Sequence, residues 1–203
     1  MILTIPRTQA PALPEAGCWP TTHLDFLQPS VWHARSNVEN DESFLQPIVY
    51  LVLQNAQGQA WCYQRTGGDA RLEGRRSCGV GGHVDFADSA DSKPQDPFDA
   101  ALTLQTALLR ELAEELQISP DEVTQVRRTL ELRGLIYEGI SPVGRVHLGV
   151  LYTAKWPQAE LPQPRMGEKL DGLGFLNLAT IATDPRFELW SQLAAQYLMP
   201  PTP

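Results

Sequence analysis

Hydrophobic positions along the chain come in short blocks whose period changes, and each change marks an element. Residues 47–53, PIVYLVL, form a β-branched and aromatic run, and 59–65, QAWCYQR, alternate in character after the turn signal Asn55-Ala56-Gln57-Gly58, so the two predict a hairpin. A glycine-rich loop over 67–76 leads into SCGVGGHVD at 77–85, which reads as another strand ending in glycines. Residues 86–97 carry no apolar pattern and read as a loop. Asp96 and Pro97 then predict a helix start, because Asp caps free amides while Pro at the first helical position gives up no needed hydrogen bond. That helix runs to about Leu116, and Ser119-Pro120-Asp121-Glu122 has the spacing of a capping box opening a second, short helix. Residues 127–137 and 143–154 read as longer strands, 172–176 as a short one, and 186–198 as a terminal amphipathic helix. The first 20 or so residues are rich in Pro and Ala and lack periodicity; with the segment up to 34 they read as an N-terminal arm, leaving 35–203 as the domain. Strands and helices mix without the regular alternation of a doubly wound fold, so the expected class is α+β, an α/β/α sandwich around a mixed β-sheet.

Composition narrows the function classes. A chain of 203 residues, 42% hydrophobic and 20% charged, suits one soluble domain with extended ends. A formal charge of −8 argues against a nucleic-acid binder that neutralises phosphates with surface cations, but not against a phosphorylated small molecule met through carboxylate-bound divalent cations. The N-terminus has no basic cluster followed by an apolar run, and no span is long enough for a membrane, so a cytoplasmic protein without membrane partners is expected. Cys18, Cys62 and Cys78 are odd in number and far apart, which fits reduced structural thiols.

Chemistry concentrates in the long helix. Glu111, Glu114 and Glu115 stand at i, i+3 and i+4, and at about 100° per residue they share one face. Leu102, Leu108, Leu109, Leu112 and Leu116 occupy a separate arc, so the leucines can be buried while the acids are presented elsewhere. A glutamate-rich face is ordinarily just solvated. Here it is preceded by Gly79-Val80-Gly81-Gly82-His83-Val84-Asp85, a strand ending in glycines that let backbone approach a ligand closely.

These segments together resemble the Nudix box, G-x5-E-x7-R-E-U-x-E-E-x-G-U with U aliphatic. Arg110 to Ile118 matches its second half at every specified position but one, and Gly82 matches its opening glycine. Asp88 stands where the pattern has Glu, 21 residues separate Asp88 from Arg110 where the pattern has seven, and Gln117 replaces a glycine. Asp91, Asp96 or Asp99 could take the missing Glu's supporting place instead. The wider likeness covers roughly residues 35–198 and points to a bacterial Nudix subgroup. It implies a Nudix-type sandwich and a hydrolase acting on a phosphoric anhydride bond in a nucleoside diphosphate linked to another moiety, or a related nucleotide. It implies Mg²⁺ or Mn²⁺ held by Glu114 and Glu115 with the Gly82 carbonyl, and Glu111 as a further ligand or as the base. Arg110 would orient the acids by ion pairing, and a homodimer fits the family. A Nudix-fold nucleotide sensor without turnover is the alternative; isomerisation of an isoprenoid diphosphate would need a cysteine such as Cys78.

Outside the box, Arg65, Arg75, Arg76 and Arg145 are candidates for phosphate contact, since guanidinium suits bidentate recognition, and Glu168 is a candidate late loop carboxylate. Surface charge is the plainer reading for each arginine alone and an equal one for Glu168. His83 lies beside Gly82, near the expected metal, but strand alternation can equally turn it away; His147, within a strand, reads as a cleft-facing or hydrogen-bonded sheet histidine more readily than as a base. Trp61 and Tyr63 could stack on a base, with core packing as the plainer expectation.

Overall fold

A computed structural model describes residues 1–67, 73–89 and 98–200. In chain order its elements are strands β1 (Ile2–Pro6), β2 (Ala16–Pro20) and β3 (Val31–His33), helix α1 (Arg35–Val38), strands β4 (Phe44–Gln54), β5 (Ala60–Arg65) and β6 (Arg76–Ser77), and helices α2 (Ala100–Glu115) and α3 (Pro120–Arg128). Strand β7 (Glu131–Glu138), helix α4 (Pro142–Arg145), strands β8 (His147–Lys155) and β9 (Leu170–Leu176), and helices α5 (Leu178–Thr183) and α6 (Leu189–Leu198) complete it. The residues group into two compact units, one of 1–50, 81–110 and 132–151, the other of 51–80, 111–131 and 152–203.

In the first unit the strands run β2-β7-β8-β4-β1-β3. The expected N-terminal arm is corrected here, because residues 1–34 supply three of these strands. Ile2, Leu3 and Ile5 are buried, and a fully buried residue of this type stabilises by about 1.5–3 kcal/mol. Leu3 pairs with Trp32, Ile5 with Leu45, and Cys18 with Ile136, all antiparallel. Such strands are short and find their partners far along the chain, so Pro- and Ala-rich surroundings hide them from local pattern. The strand expected over 143–154 begins only at His147, since Ser141 accepts a hydrogen bond from the Gly144 amide and Pro142 opens a helical turn. Leu45, Val49, Leu104, Leu108, Ile136, Leu148 and Val150 form the core of this unit.

In the second unit the hairpin is as expected. Gln54 pairs with Ala60, the Asn55 side chain accepts from the Gln57 and Gln59 amides, and Gly58 takes a positive φ of 74° in the turn. Strand β5 also pairs with β6 and β9. The capping box is present: Ser119 and Glu122 bond reciprocally and hold α3 to Arg128, which moves the start of the next strand from 127 to Glu131. The terminal helix starts at Leu189, three residues later than expected, because the Arg76 and Glu188 backbones pair just ahead of it. Trp61 and Tyr63 are fully enclosed with Leu53, Leu112, Leu116, Ile181 and Phe187, so the two rings are core rather than a base platform. Among the described residues no helix is long and apolar enough to cross a membrane.

Candidate active site

Helix α2 starts at Ala100, three residues later than Asp96-Pro97 indicates; those two residues, with Asp91, lie outside the described residues. Within them Asp99 is the cap, its carboxylate accepting from the Leu102 amide at 2.9 Å. Leu104, Leu108, Leu112 and Leu116 are buried at four-residue spacing, with Leu102 and Leu109 at the margin of that stripe. The acids accordingly lie off the core face. Glu114 is exposed, whereas Glu111 and Glu115 are partly enclosed.

The helix ends without glycine. The Glu115 carbonyl accepts from the Arg165 amide at 2.8 Å, the Ala113 carbonyl from the Arg165 guanidinium at 2.8 Å, and the Gln117 amide donates to the Gln163 carbonyl at 2.8 Å. A passing loop thus satisfies carbonyls that a left-handed turn usually serves. The same loop continues into Gly167, Glu168, Lys169 and Leu170, which with Arg65, Gly67 and Glu115 line a pocket of about 240 Å³.

Glu115 is the unusual group in that pocket. Its Oε2 is buried and has no hydrogen-bond partner among the described residues. Burial pushes its pKa up to about 8; Arg65 opposes the rise, while Glu111, Glu168 and Glu188 add to it. Arg65 is itself positioned, donating to the Tyr63 hydroxyl at 3.0 Å with its guanidinium carbon 5.4 Å from the ring centroid, and that hydroxyl donates to the Gly79 carbonyl at 2.7 Å. A buried carboxylate oxygen lacking a donor, among three further glutamates, is short of positive charge. Its hard oxygen suits Mg²⁺ or Mn²⁺, so the residues present fit a divalent cation. Among the described residues no three or more His, Cys, Asp or Glu side chains are already gathered for a metal, as repulsion among like charges on one helical turn favours.

In the first unit the glycine loop and the start of the box are held by a separate network. The Gly82 carbonyl accepts from the Val49 amide at 3.0 Å. At Gly81 an added Cβ would lie 1.8 Å from the Val49 carbonyl oxygen. Gly81→Ala is therefore expected to destabilise by about 1–3 kcal/mol, read as a lower urea midpoint; an unchanged midpoint would mean the strand can part there freely. Asp88, 4% exposed, receives Arg110 Nε at 2.9 Å and Nη2 at 3.0 Å, and also the Asp85 amide at 2.8 Å. Arg110 Nη2 reaches the His83 carbonyl too, at 2.9 Å. Despite its shorter side chain and the long insertion behind it, Asp88 makes the fork-to-carboxylate contact that joins this loop to the helix.

Protein YmaB of Bacillus subtilis is 31% identical over 169 residues, spanning 81% of this chain and 76% of that protein, and is a family relative. No protein-family model matches the sequence. Among solved structures, Tm1382, described as a candidate Nudix hydrolase, superposes with a TM-score of 0.71 at 23% identity over 97% of both chains. The chain belongs to one family with YmaB and has the Nudix fold. A second structure, the Nudix domain of Shewanella oneidensis NrtR complexed with ADP ribose, gives a TM-score of 0.50 at 18% identity, over 75% of this chain and 85% of that one. These likenesses show the fold, the α+β sandwich around a mixed sheet.

The remaining candidate residues divide. Arg65 and Glu168 come together with Glu115. Arg76 is tied to Asp184, and Arg75 donates to the Pro185 carbonyl. Arg145 is paired with Glu42 at 2.7 Å. These three guanidiniums pin neighbouring segments. His83 and His147 are structural partners: their Nε2 atoms lie 3.3 Å apart, His83 also meets Gln46, His147 meets the Val143 carbonyl, and burial pushes the His83 pKa down to about 3. Cys78 is enclosed against Ser191, whose hydroxyl accepts from its amide. Sequence reading passed over Lys169, Arg165 and Glu188; the first stands beside Glu168 in MGEKLDG, the signal that could have drawn notice.

Proposed function

We propose that this chain is a metal-dependent Nudix pyrophosphohydrolase, cleaving a diphosphate bond in a nucleoside diphosphate linked to another moiety or in a related nucleotide. The observation that carries it is the buried, donorless Oε2 of Glu115 in a pocket with Arg65, Glu168 and Lys169. Glu111, Glu114 and Glu115, on one helical turn, would hold Mg²⁺ or Mn²⁺. Such a cation, when bound, offsets the negative charge of the diphosphate oxygens and acidifies water. Arg65 keeps positive charge at the pocket wall, and enclosure of Glu115 excludes bulk water from its carboxylate. Arg110, the residue before Glu111, fixes the helix through Asp88 and so sets the direction of the acids.

Purified protein is expected to release nucleoside monophosphate from members of a nucleotide panel, with ADP-ribose included because the NrtR domain was solved with it. Release should need Mg²⁺ or Mn²⁺ and stop with EDTA. Failure against the whole panel with both metals, alongside ligand-induced thermal stabilisation, would favour a non-hydrolysing sensor.

A further inference from the structure

We propose that Lys169, seated over Gly67, is a phosphate-binding residue of this pocket, contacting non-bridging oxygens of the substrate's diphosphate. The assignment rests on the diphosphate reading above and names the group that recognises the anion.

The two segments concerned are fixed side by side. Arg65 pairs with Leu170, and the Thr66 amide donates to the Lys169 carbonyl at 2.9 Å, so the backbone of Lys169 is held beside the Arg65–Gly67 turn. A Cβ built on Gly67 would lie 2.4 Å from Lys169 Cδ and 3.3 Å from both Cε and Nζ. The lysine stem therefore lies against the bare backbone of Gly67, and a side chain there would push it aside. Both residues line the pocket that Glu115 enters.

Charge explains why a cation is needed at this point. A phosphate entering beside Glu115 and Glu168 meets like charge, and an enzyme site must offset this on the protein side as well as through a metal. Arg65 is partly committed, hydrogen-bonded to Tyr63. Lys169 offers a compact ammonium with three rotatable donors, suited to phosphate oxygens as a point charge. A lysine that served only to neutralise Glu168 would matter for stability and not for anion affinity.

Methylenediphosphonate, whose carbon bridge resists hydrolysis, is titrated calorimetrically into the whole chain with Mg²⁺ present. Lys169→Ala is expected to weaken binding about tenfold, the order lost with one charge-assisted hydrogen bond, and Lys169→Arg to stay within about threefold of wild type. Gly67→Ala keeps the charge but displaces the stem, and is expected to weaken binding several-fold with little change in thermal midpoint. Wild-type affinity in Lys169→Ala, or no binding by the wild type, overturns the proposal. Because nothing turns over, loss of binding in Lys169→Ala together with inactivity toward every nucleotide would leave this residue's role standing and remove the hydrolase reading alone.

Discussion

Glu115→Gln is expected to lower metal-dependent nucleotide hydrolysis by about 10²–10³-fold, the size of a few kcal/mol of transition-state charge stabilisation. The same change should make the chelated protein more stable at alkaline pH. In the folded chain the Glu115 pKa is raised from 4.5 to about 8, so between those values the folded state keeps a proton that the unfolded state has released. Stability accordingly falls as pH rises through that window and levels off above it. Gln cannot ionise, keeps nearly the same shape, and leaves no charge enclosed. Thermal midpoints in EDTA at about pH 5, 6, 7 and 8, which span the window, should then decline less for the variant than for wild type. Mg²⁺ should raise the wild-type midpoint more at the alkaline end, where the carboxylate costs least to deprotonate. Parallel pH curves for the two proteins, or undiminished hydrolysis, would show that Glu115 is a bystander.

Asp88→Ala should cost about 3–5 kcal/mol, because it removes a buried carboxylate that takes two hydrogen bonds from the Arg110 guanidinium and one from the Asp85 amide. For a chain of this length that is roughly a 10 °C fall in thermal midpoint. Asp88→Asn, which retains an acceptor and the shape, should lose less. The coupling can be isolated: Asp88→Ala with Arg110→Ala is expected to fall short of the sum of the singles by at least about 1.5 kcal/mol in urea unfolding. Additive losses would mean that the two side chains act separately and that Asp88 does not anchor the box.

Local signals in the sequence translated well. The hairpin at Asn55–Gly58, the capping box at Ser119 and the acid face of α2 each depend on residues within a few positions of one another, and each is present. Features closed by distant partners were not legible. Arg145 and Arg76 were readable as surface charge or as phosphate contacts, and their partners Glu42, 103 residues away, and Asp184, 108 away, gave no local signal. Strands β1, β2 and β3 escaped for the same reason, their partners being supplied elsewhere in the chain. The pocket is half legible: Arg65, Glu115 and Glu168 were candidates by residue type, but only folding shows that Gly67 leaves room for Lys169. Asp88 is the intermediate case, aligned by spacing, with its carboxylate-to-guanidinium geometry visible only across the inserted loop.

The way α2 terminates has a consequence for detecting relatives. With Arg165 serving the Ala113 and Glu115 carbonyls, position 117 is released from backbone demands, and glutamine is as acceptable there as glycine. A search template that insists on that glycine selects for one manner of finishing the helix and passes over chains that finish it laterally. Such chains are expected to pair a non-glycine at the box's end with an arginine some 50 residues downstream, as here, where Ala113 and Arg165 are 52 positions apart. Templates that score this pair would recover a branch of the family whose signature is distributed over two segments.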